Sequence, residues 1–406
     1  MHWPEGWRDA GALKLLEGTP IGGLIFSSTE GYASVMARAR EVGITICSGE
    51  RPPEGVEIVK GEWPGVRAAE GQADASGGPT GVPWIDSNGW LVRLVRARRP
   101  GHTVWVTADA PERNRVVPLA RQSMAAADSA AHGGYWAVRL DRDMAAGLAA
   151  GKPELVAEWQ QLMRVLLFFD SHREWHAWPV DAALAVVSRF AGSEEFMSRE
   201  VLNLMARTDV SYSIVPCESL RAEALRGLRA VLYPDAQVPA DGVRRTVRDF
   251  VAGGGLLIAT PAWGKEADTA PASESHQRYE IRRLGKGRIA LARKQPDDPY
   301  EIAQDAQVLV SHRYDRVHLF NGELLGNYCT VTPDGRGRLV HVMNYADVGE
   351  DPVTARVAGQ FRSAKLWTPE AAEARRLEMI ARGGGVEVRL PALALYGAIE
   401  LEPQHV

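Results

Sequence analysis

Acidic residues follow the predicted strands in the first part of this chain, where each strand turns toward a helix. They are Glu30, Glu50, Glu62, Asp86, Asp109 and Asp141, which follow the runs "LIFSS", "ITICS", "VEIVK", "VPWI", "VWVTA" and "WAVRL". Because the carboxyl ends of barrel strands meet at one face, these groups are expected around one rim. Two carboxyl groups can cleave a glycosidic bond, since one protonates the leaving oxygen while the other attacks the sugar or activates water. Acidic residues at such turns are also common helix N-caps.

Glu62 and Asp109 lie in the best-defined strand-end turns, in "KGEWPG" and "TADAP", where a proline fixes the turn after each strand. Trp63 beside Glu62 predicts an apolar setting that raises the pKa of this carboxyl group toward the range of a general acid. Asp86 or Asp109 is then the expected nucleophile or base. A solvated loop acid is the alternative for Glu62, and a turn-forming role is the alternative for Asp109.

The stretch "GVPWIDSNGW" (81–90) places aromatic and polar residues beside Asp86. Any one of Asp86, Ser87 and Asn88 can cap the helix that follows, and one cap does not need all three. The apolar face of a sugar stacks on indole rings, which also offer one hydrogen-bond donor. The sequence therefore predicts a substrate-binding rim of indoles and one amide: Trp63, Trp84, Asn88, Trp90 and Trp105. Trp90 is alternatively a core residue.

Other kinds of chemistry find less support in the sequence. His172 and His176 in "FFDSHREWH" have the spacing of metal ligands on a helix, but Arg173 stands where an HExxH motif has glutamate. His132 precedes a strand, at the end of a barrel where stability is decided, and is expected to be structural. The three cysteines, Cys47, Cys217 and Cys329, form no CxxC pair. We expect neither a metal nor a cofactor.

Composition excludes further classes of protein. The net charge of −4 gives no electrostatic footprint for nucleic acid or an anionic membrane. No apolar run approaches the roughly 20 residues of a membrane span. The N-terminus lacks the basic and apolar segments of a secretory signal, so a cytoplasmic location is expected.

The elements that position these residues fall into three regions along the chain. Residues 1–180 alternate short apolar runs with amphipathic helices, which predicts a (β/α) barrel-like domain. We count about six strands there, whereas a full barrel needs eight and about 250 residues, so a short or incomplete barrel is expected. Residues 181–322 predict a flavodoxin-like, doubly wound domain with Phe196 and Leu202 facing inward. Residues 323–406 predict an antiparallel β-sandwich.

This order of domains resembles the family 42 β-galactosidases and related glycoside-hydrolase-like proteins. The resemblance is carried by "ALAVVSRFAGSEEF", "LRAVLYPDA", "FVAGGGLLIATPAWG" and "LGKGRIAL" in the middle region, and by "LVHVMNYA", "AKLWTPE" and "VEVRLPALALYGAIEL" after it. It implies a barrel, an amidotransferase-like middle domain that serves trimer formation, and a small sandwich. Glutamine hydrolysis is not expected, because "LLIATPAWG" lacks the elbow cysteine of an active amidotransferase and Cys217 lacks flanking glycines.

The sequence thus favours a glycoside hydrolase that binds a carbohydrate, with Glu62 as the acid. The alternatives are a non-catalytic carbohydrate-binding or assembly relative, and a metal-free hydrolase or isomerase acting on another polar metabolite. The barrel part contains no Asn-Glu pair of the kind that carries the acid/base residue in the resembling family. The apolar helical stretch 154–169 and the middle domain suggest contacts in a homo-oligomer.

Overall fold

The computed structural model describes residues 1–48, 52–66, 85–109, 119–208, 210–272, 274–322, 324–346 and 352–404. Within these ranges the chain has a mixed α/β fold, with parallel sheets in its first two regions and antiparallel sheets at its C-terminal end. That broad fold class confirms the sequence-based prediction. No helix in the described ranges has both the length and the apolar character that crossing a bilayer requires.

The first region contains short strands and five helices among its described residues. The strands are β1 (Gly23–Phe26), β2 (Thr45–Ser48), β3 (Val56–Lys60), β4 (Gly65–Val66), β5 (Ile85–Asp86), β6 (Thr103–Thr107) and β7 (Tyr135–Trp136). The helices are α1 (Ala33–Glu41), α2 (Gly89–Arg98), α3 (Leu119–Ala131), α4 (Arg142–Ala149) and α5 (Pro153–Ser171). β4 and β5 form a small antiparallel pair within the connection from β3 to α2.

The parallel strands of this region follow one another in space as they do in the sequence. β1 pairs with β2, and β3, β6 and β7 form a second parallel sheet. The N-terminal residues join the two sheets: His2 donates its N–H to the Val138 carbonyl at 2.8 Å, and Ile25 donates to the Met1 carbonyl at 2.9 Å. Among the described residues no pairing links β2 to β3.

The strands and helices of the first region are closely packed. A Cβ added at Gly23 in β1 would lie only 2.5 Å from the ring of Trp105 in β6, so glycine is required where this indole lies against β1. Helix α5 buries Trp159, Leu162 and Phe169, and it packs against α3 and the C-terminal sheet. The apolar face that suggested a subunit interface is thus used within the chain. Oligomer formation stays a prediction.

The middle region builds one seven-stranded sheet in the order β12-β13-β14-β11-β10-β8-β9. Its strands are β8 (Leu184–Ser188), β9 (Tyr212–Pro216), β10 (Ala230–Tyr233), β11 (Leu256–Ala259), β12 (Ala270–Pro271), β13 (Tyr279–Leu284) and β14 (Gly287–Ala292). Its helices are α6 (Glu195–Met205), α7 (Asp241–Ala252) and α8 (Pro299–Val310). β8, β10 and β11 are buried along their whole length, which explains why they read as unbroken apolar runs.

The C-terminal region consists of two antiparallel sheets. Its strands are β15 (Val317–Phe320), β16 (Leu325–Val331), β17 (Arg338–Asn344), β18 (Thr354–Ala358), β19 (Phe361–Trp367), β20 (Arg375–Leu377), β21 (Met379–Arg382), β22 (Gly385–Arg389) and β23 (Tyr396–Pro403). Alternate residues of β17 face opposite sides: Val340 lies in the core between the sheets, whereas Leu339 and Met343 join the core of the first region. The C-terminal sheet that contains β17 therefore packs directly against the first region.

Candidate functional site

A cleft of about 720 Å³ separates the first region from helix α6. One wall is formed by the end of β3 and the turn into α2, with Lys60, Gly61, Glu62, Asp86, Ser87, Asn88, Trp90 and Leu91. The other wall is formed by Gly192, Glu195, Phe196, Arg199, Glu200 and Asn203. The cleft therefore brings together four of the residues predicted from the sequence, Glu62, Asp86, Asn88 and Trp90, from two separate chain segments.

Glu62 is held in place through its backbone. Asn88 accepts a hydrogen bond from the Glu62 N–H at 2.8 Å and donates one to the Glu62 carbonyl at 2.9 Å. Asn88 is 2% exposed, and its side chain makes no capping bond to α2. The amide that the sequence assigned to substrate binding or helix capping is engaged by protein groups, and its observed role is to fix the position of Glu62.

Asp128 supports this arrangement from inside the protein. Its carboxylate accepts from the Asn88 backbone N–H at 2.7 Å, from the Asn88 side chain at 3.2 Å and from the Tyr345 hydroxyl at 2.7 Å. Burial raises the pKa of Asp128 to about 6, while the hydrogen bonds from Tyr345 and Asn88 act in the opposite direction. Sequence reasoning missed Asp128, because it lies within the alanine-rich helix α3 and reads as an ordinary polar helix residue.

The carboxyl groups of the cleft differ in their surroundings. Glu62 is exposed, and Trp63 beside it packs against Trp136 with ring centroids 4.9 Å apart. The apolar enclosure that the sequence predicts for the Glu62 carboxyl group is therefore not present. Asp86 is partly buried in β5, where it pairs with Gly65.

Asp109 lies at the edge of the site and forms an ion pair with Lys60, whose Nζ is 2.6 Å from a carboxylate oxygen. The hydrogen bond and charge of Asp109 raise the pKa of Lys60. Lys60 itself lines the cleft. Asp109 is therefore linked to the cleft wall by its ion pair with Lys60. The backbone carbonyl of Asp109 accepts a hydrogen bond from the Trp63 indole at 3.2 Å.

The predicted tryptophans have separate locations. Trp90 lines the cleft, and the Arg199 guanidinium lies 5.7 Å from its ring centroid. Trp63 is packed against the core of the first region. Trp105 lines a different cavity, of about 300 Å³, together with Met1 and Gly23. Trp84 lies outside the described residues.

Helix α6 contributes an aromatic residue that the sequence analysis assigned to the core. Leu202 is buried as expected, whereas Phe196 is 72% exposed and lines the cleft. Glu195 and Arg199 on the same helix form an ion pair at 2.8 Å. The helical period that places Leu202 inward turns Phe196 outward, so the inward assignment of Phe196 was wrong.

The remaining strand-end acids lie elsewhere. Asp141 caps α4 by accepting from the Met144 N–H at 2.8 Å, which is the capping alternative. Glu30 is exposed in the turn after β1. Glu50 lies outside the described residues.

The histidines of the first region have structural surroundings. Burial lowers the pKa of His132 to about 3 and that of His176 to about 4. The His172 ring packs 4.1 Å from the centroid of Trp175. In the described part of the chain, the ligand atoms close enough to share a metal ion belong to His312, Asp315 and His318, which lie at the start of the C-terminal region. His312 and Asp315 already share a hydrogen bond of 2.9 Å.

Two side chains of nucleophilic type lie at strand ends in the described part of the middle region, Cys217 after β9 and Ser188 at the end of β8. Burial raises the pKa of the Cys217 thiol to about 12, so the thiolate is suppressed. Ser188 donates to Asp235 at 2.5 Å where β8 and β10 end, and both side chains are buried. These groups lie where two neighbouring parallel strands end, which is the edge at which doubly wound folds bind ligands.

Solved structures similar to this arrangement are glycoside hydrolases. The α-L-fucosidase isoenzyme 2 of Paenibacillus thiaminolyticus superposes with a TM-score of 0.54 at 12% identity, over 97% of this chain and 79% of that one. The GH42 β-galactosidase Gan42B of G. stearothermophilus gives a TM-score of 0.51 at 10% identity, over 96% of this chain and 65% of that one. The chain has a GH42-like fold.

A third similar structure, the β-galactosidase of Bacillus circulans sp. alkalophilus, has a TM-score of 0.51 at 11% identity and covers 93% of this chain. The chain spans 65% and 63% of the lengths of the two β-galactosidases. No protein-family model matches this chain, and no curated protein matches it in sequence. At such identities the likeness establishes the fold and transfers no catalytic residue.

Proposed function

We propose that the chain is a glycoside hydrolase that binds its carbohydrate in the cleft between the first region and α6, with Glu62 as the acid and Asp86 as the nucleophile or base. The observation that supports this proposal is that Glu62 and Asp86, which belong to separate segments, line one open cleft. Trp90 and the exposed Phe196 offer ring faces in the same cleft, as sugar-binding sites require. The similar solved structures are glycoside hydrolases, which supports a carbohydrate substrate.

The chemistry needs one carboxyl group on each side of the scissile bond. Asp86 is a better second group than Asp109, because Asp109 is paired with Lys60 whereas Asp86 lies in the cleft wall. Asn88 fixes the Glu62 backbone, which limits the freedom of the acid. We also infer that the parallel strands of the first region form a shortened (β/α) barrel and that the cleft lies at the carboxyl end of its strands.

A second candidate function is carbohydrate binding without cleavage. It is favoured by the exposure of Glu62, because a general acid is usually enclosed by apolar groups that keep it protonated. Under this proposal Trp90 and Phe196 still bind the sugar, and the carboxyl groups only accept hydrogen bonds from its hydroxyls.

Turnover of a panel of aryl glycosides, with parallel calorimetry of the free sugars, separates the two functions. For a hydrolase we expect Glu62→Gln and Asp86→Asn each to lower kcat by about 100-fold or more, while Glu30→Gln, a strand-end acid outside the cleft, retains full activity. Sugar binding without turnover favours the binding protein. Turnover that survives both cleft substitutions contradicts the assignment of Glu62 and Asp86.

A further inference from the structure

A third space, a cavity of about 280 Å³, lies where the three regions of the chain meet. The first region contributes Arg93 and His132, the middle region contributes Arg207 and Tyr212, and the C-terminal region contributes Tyr328 and His341. We call it the junction cavity. It is distinct from the cleft, although Ser87 and Trp90 form part of both walls.

The junction cavity has an unusual balance of charge. Two arginines line it, and no aspartate or glutamate of the described residues does. Arginine is the side chain best suited to carboxylate and phosphate groups, because its planar guanidinium presents several donors in a fixed fork. An interior space with two such cations and no lining carboxylate favours an anionic occupant.

The Arg93 guanidinium is in contact with two aromatic rings and one carbonyl oxygen. Its guanidinium carbon lies 4.2 Å from the ring centroid of Tyr212 and 5.0 Å from that of Tyr328. One of its nitrogens donates to the Tyr212 carbonyl. The two rings engage the faces of the guanidinium, so among the described residues its remaining N–H groups are left for a ligand in the plane.

His341 provides a further polar group. It is 2% exposed, and its Nδ1 lies 2.5 Å from the Tyr396 hydroxyl. Its Nε2 is buried and has no hydrogen-bond partner among the described residues. Burial lowers the pKa of His341 well below its usual value, so the ring is neutral. A buried nitrogen without a partner is costly, and a bound polar ligand would satisfy it.

We propose that the junction cavity binds a small anion that carries one carboxylate or phosphate group. The arginines bind the anionic group, and the buried His341 Nε2 bonds to a polar group of the same ligand. The cavity volume is near the lower end of small-molecule sites, which excludes an oligosaccharide. This site is independent of the function proposed for the cleft.

Titration calorimetry on the full chain, with glucuronate, glucose 6-phosphate and uncharged glucose, tests the proposal. At least one of the two anions should bind about tenfold more tightly than glucose, since the anionic group adds a charge-assisted contact. Preference for glucuronate identifies a carboxylate site, and preference for glucose 6-phosphate identifies a phosphate site. Equal binding of all three sugars, or none, overturns the proposal.

Substitutions locate the binding. Arg93→Gln should weaken the anion about tenfold, whereas Arg229→Gln should leave it unchanged, because Arg229 stacks on Tyr314 at 4.6 Å outside the cavity. If Arg93→Gln does not fold, Arg207→Gln takes its place. Glu62→Gln should retain full anion affinity, which separates this site from the cleft. Anion binding that survives both arginine substitutions contradicts the assignment.

Discussion

The side chain of Asn88 forms hydrogen bonds with both the backbone N–H and the backbone carbonyl of Glu62, at 2.8 and 2.9 Å. This pairing ties the end of β3 to the start of α2 across the long connection between them. Asp128 and Tyr345 anchor Asn88 in turn, so a chain of hydrogen bonds runs from the C-terminal region to the candidate acid. The position of Glu62 therefore depends on contacts far from it in the sequence.

Replacing Asn88 should test this anchor. In Asn88→Ala the Glu62 backbone and one Asp128 contact lose their partners, and we expect a loss of about 2 kcal/mol in the free energy of unfolding. Asn88→Asp places a second acid beside Asp128, so its cost should be larger at pH 7 than at pH 5. Urea denaturation at both pH values measures the two effects. A cost for Asn88→Asp that does not change with pH contradicts the pairing with Asp128.

Gly61 tests how tightly this corner is packed. A Cβ at Gly61 would lie 2.3 Å from the Asn88 Oδ1 and 2.7 Å from a Val106 methyl group. Gly61→Ala should therefore lower the free energy of unfolding by about 1–3 kcal/mol and disturb Glu62. Gly22→Ala is the control, because nothing lies within 4 Å of its added Cβ. Equal stability of the two variants in thermal unfolding would show that the corner is loosely packed.

Asp128 should make stability depend on pH. Its folded pKa of about 6 lies above the ordinary value of 3.8, so the penalty for burying its charge is absent at low pH and appears as the pH rises. We expect wild type to lose about 2 kcal/mol relative to Asp128→Asn between pH 4 and pH 6, with a further loss of less than about 0.5 kcal/mol above pH 6. Chemical denaturation from pH 4 to 8 gives this difference. Burial also raises the pKa of Asp235 to about 6, but its contribution cancels because both proteins contain it. A flat difference would mean that Asp128 titrates normally.

Phe196 should matter for binding and little for folding. Because it is 72% exposed, Phe196→Ala should change the free energy of unfolding by less than about 0.5 kcal/mol. If it forms a sugar platform in the cleft, sugar affinity in calorimetry should fall about tenfold. Phe320→Ala, which removes an exposed phenylalanine outside the cleft, should leave affinity unchanged. Identical affinities for the two variants would remove Phe196 from the site.

Much of the fold could be predicted from local pattern. β8, β10 and β11 are buried on both faces, so their apolar runs predict central parallel strands whatever surrounds them. The hairpin of β13 and β14 follows from the glycines at its turn, where Gly285 has a φ of +56°.

The candidate site was predicted less completely, because its residues depend on which segments meet. Glu62, Asp86 and Trp90 were identified from their places after strands and at a helix start. Trp105 was assigned to the same rim, yet its ring crosses Gly23 and lines another cavity. Phe196 was assigned to the core because it is apolar, although six positions separate it from Leu202 and the helical period turns the two side chains to different faces.

The sequence by itself determined the alternation of strands and helices, the change to antiparallel sheets near the C-terminus and the loss of the amidotransferase cysteine. These properties follow from periodicity and residue type, which act over a few neighbouring positions. Only the tertiary structure decided that Asn88 holds Glu62, that Asp128 lies buried against Tyr345 and that two arginines line a cavity to which the described residues contribute no acid. The reason is physical: hydrogen bonding and burial depend on distances between residues up to 217 positions apart, and no local pattern contains those distances.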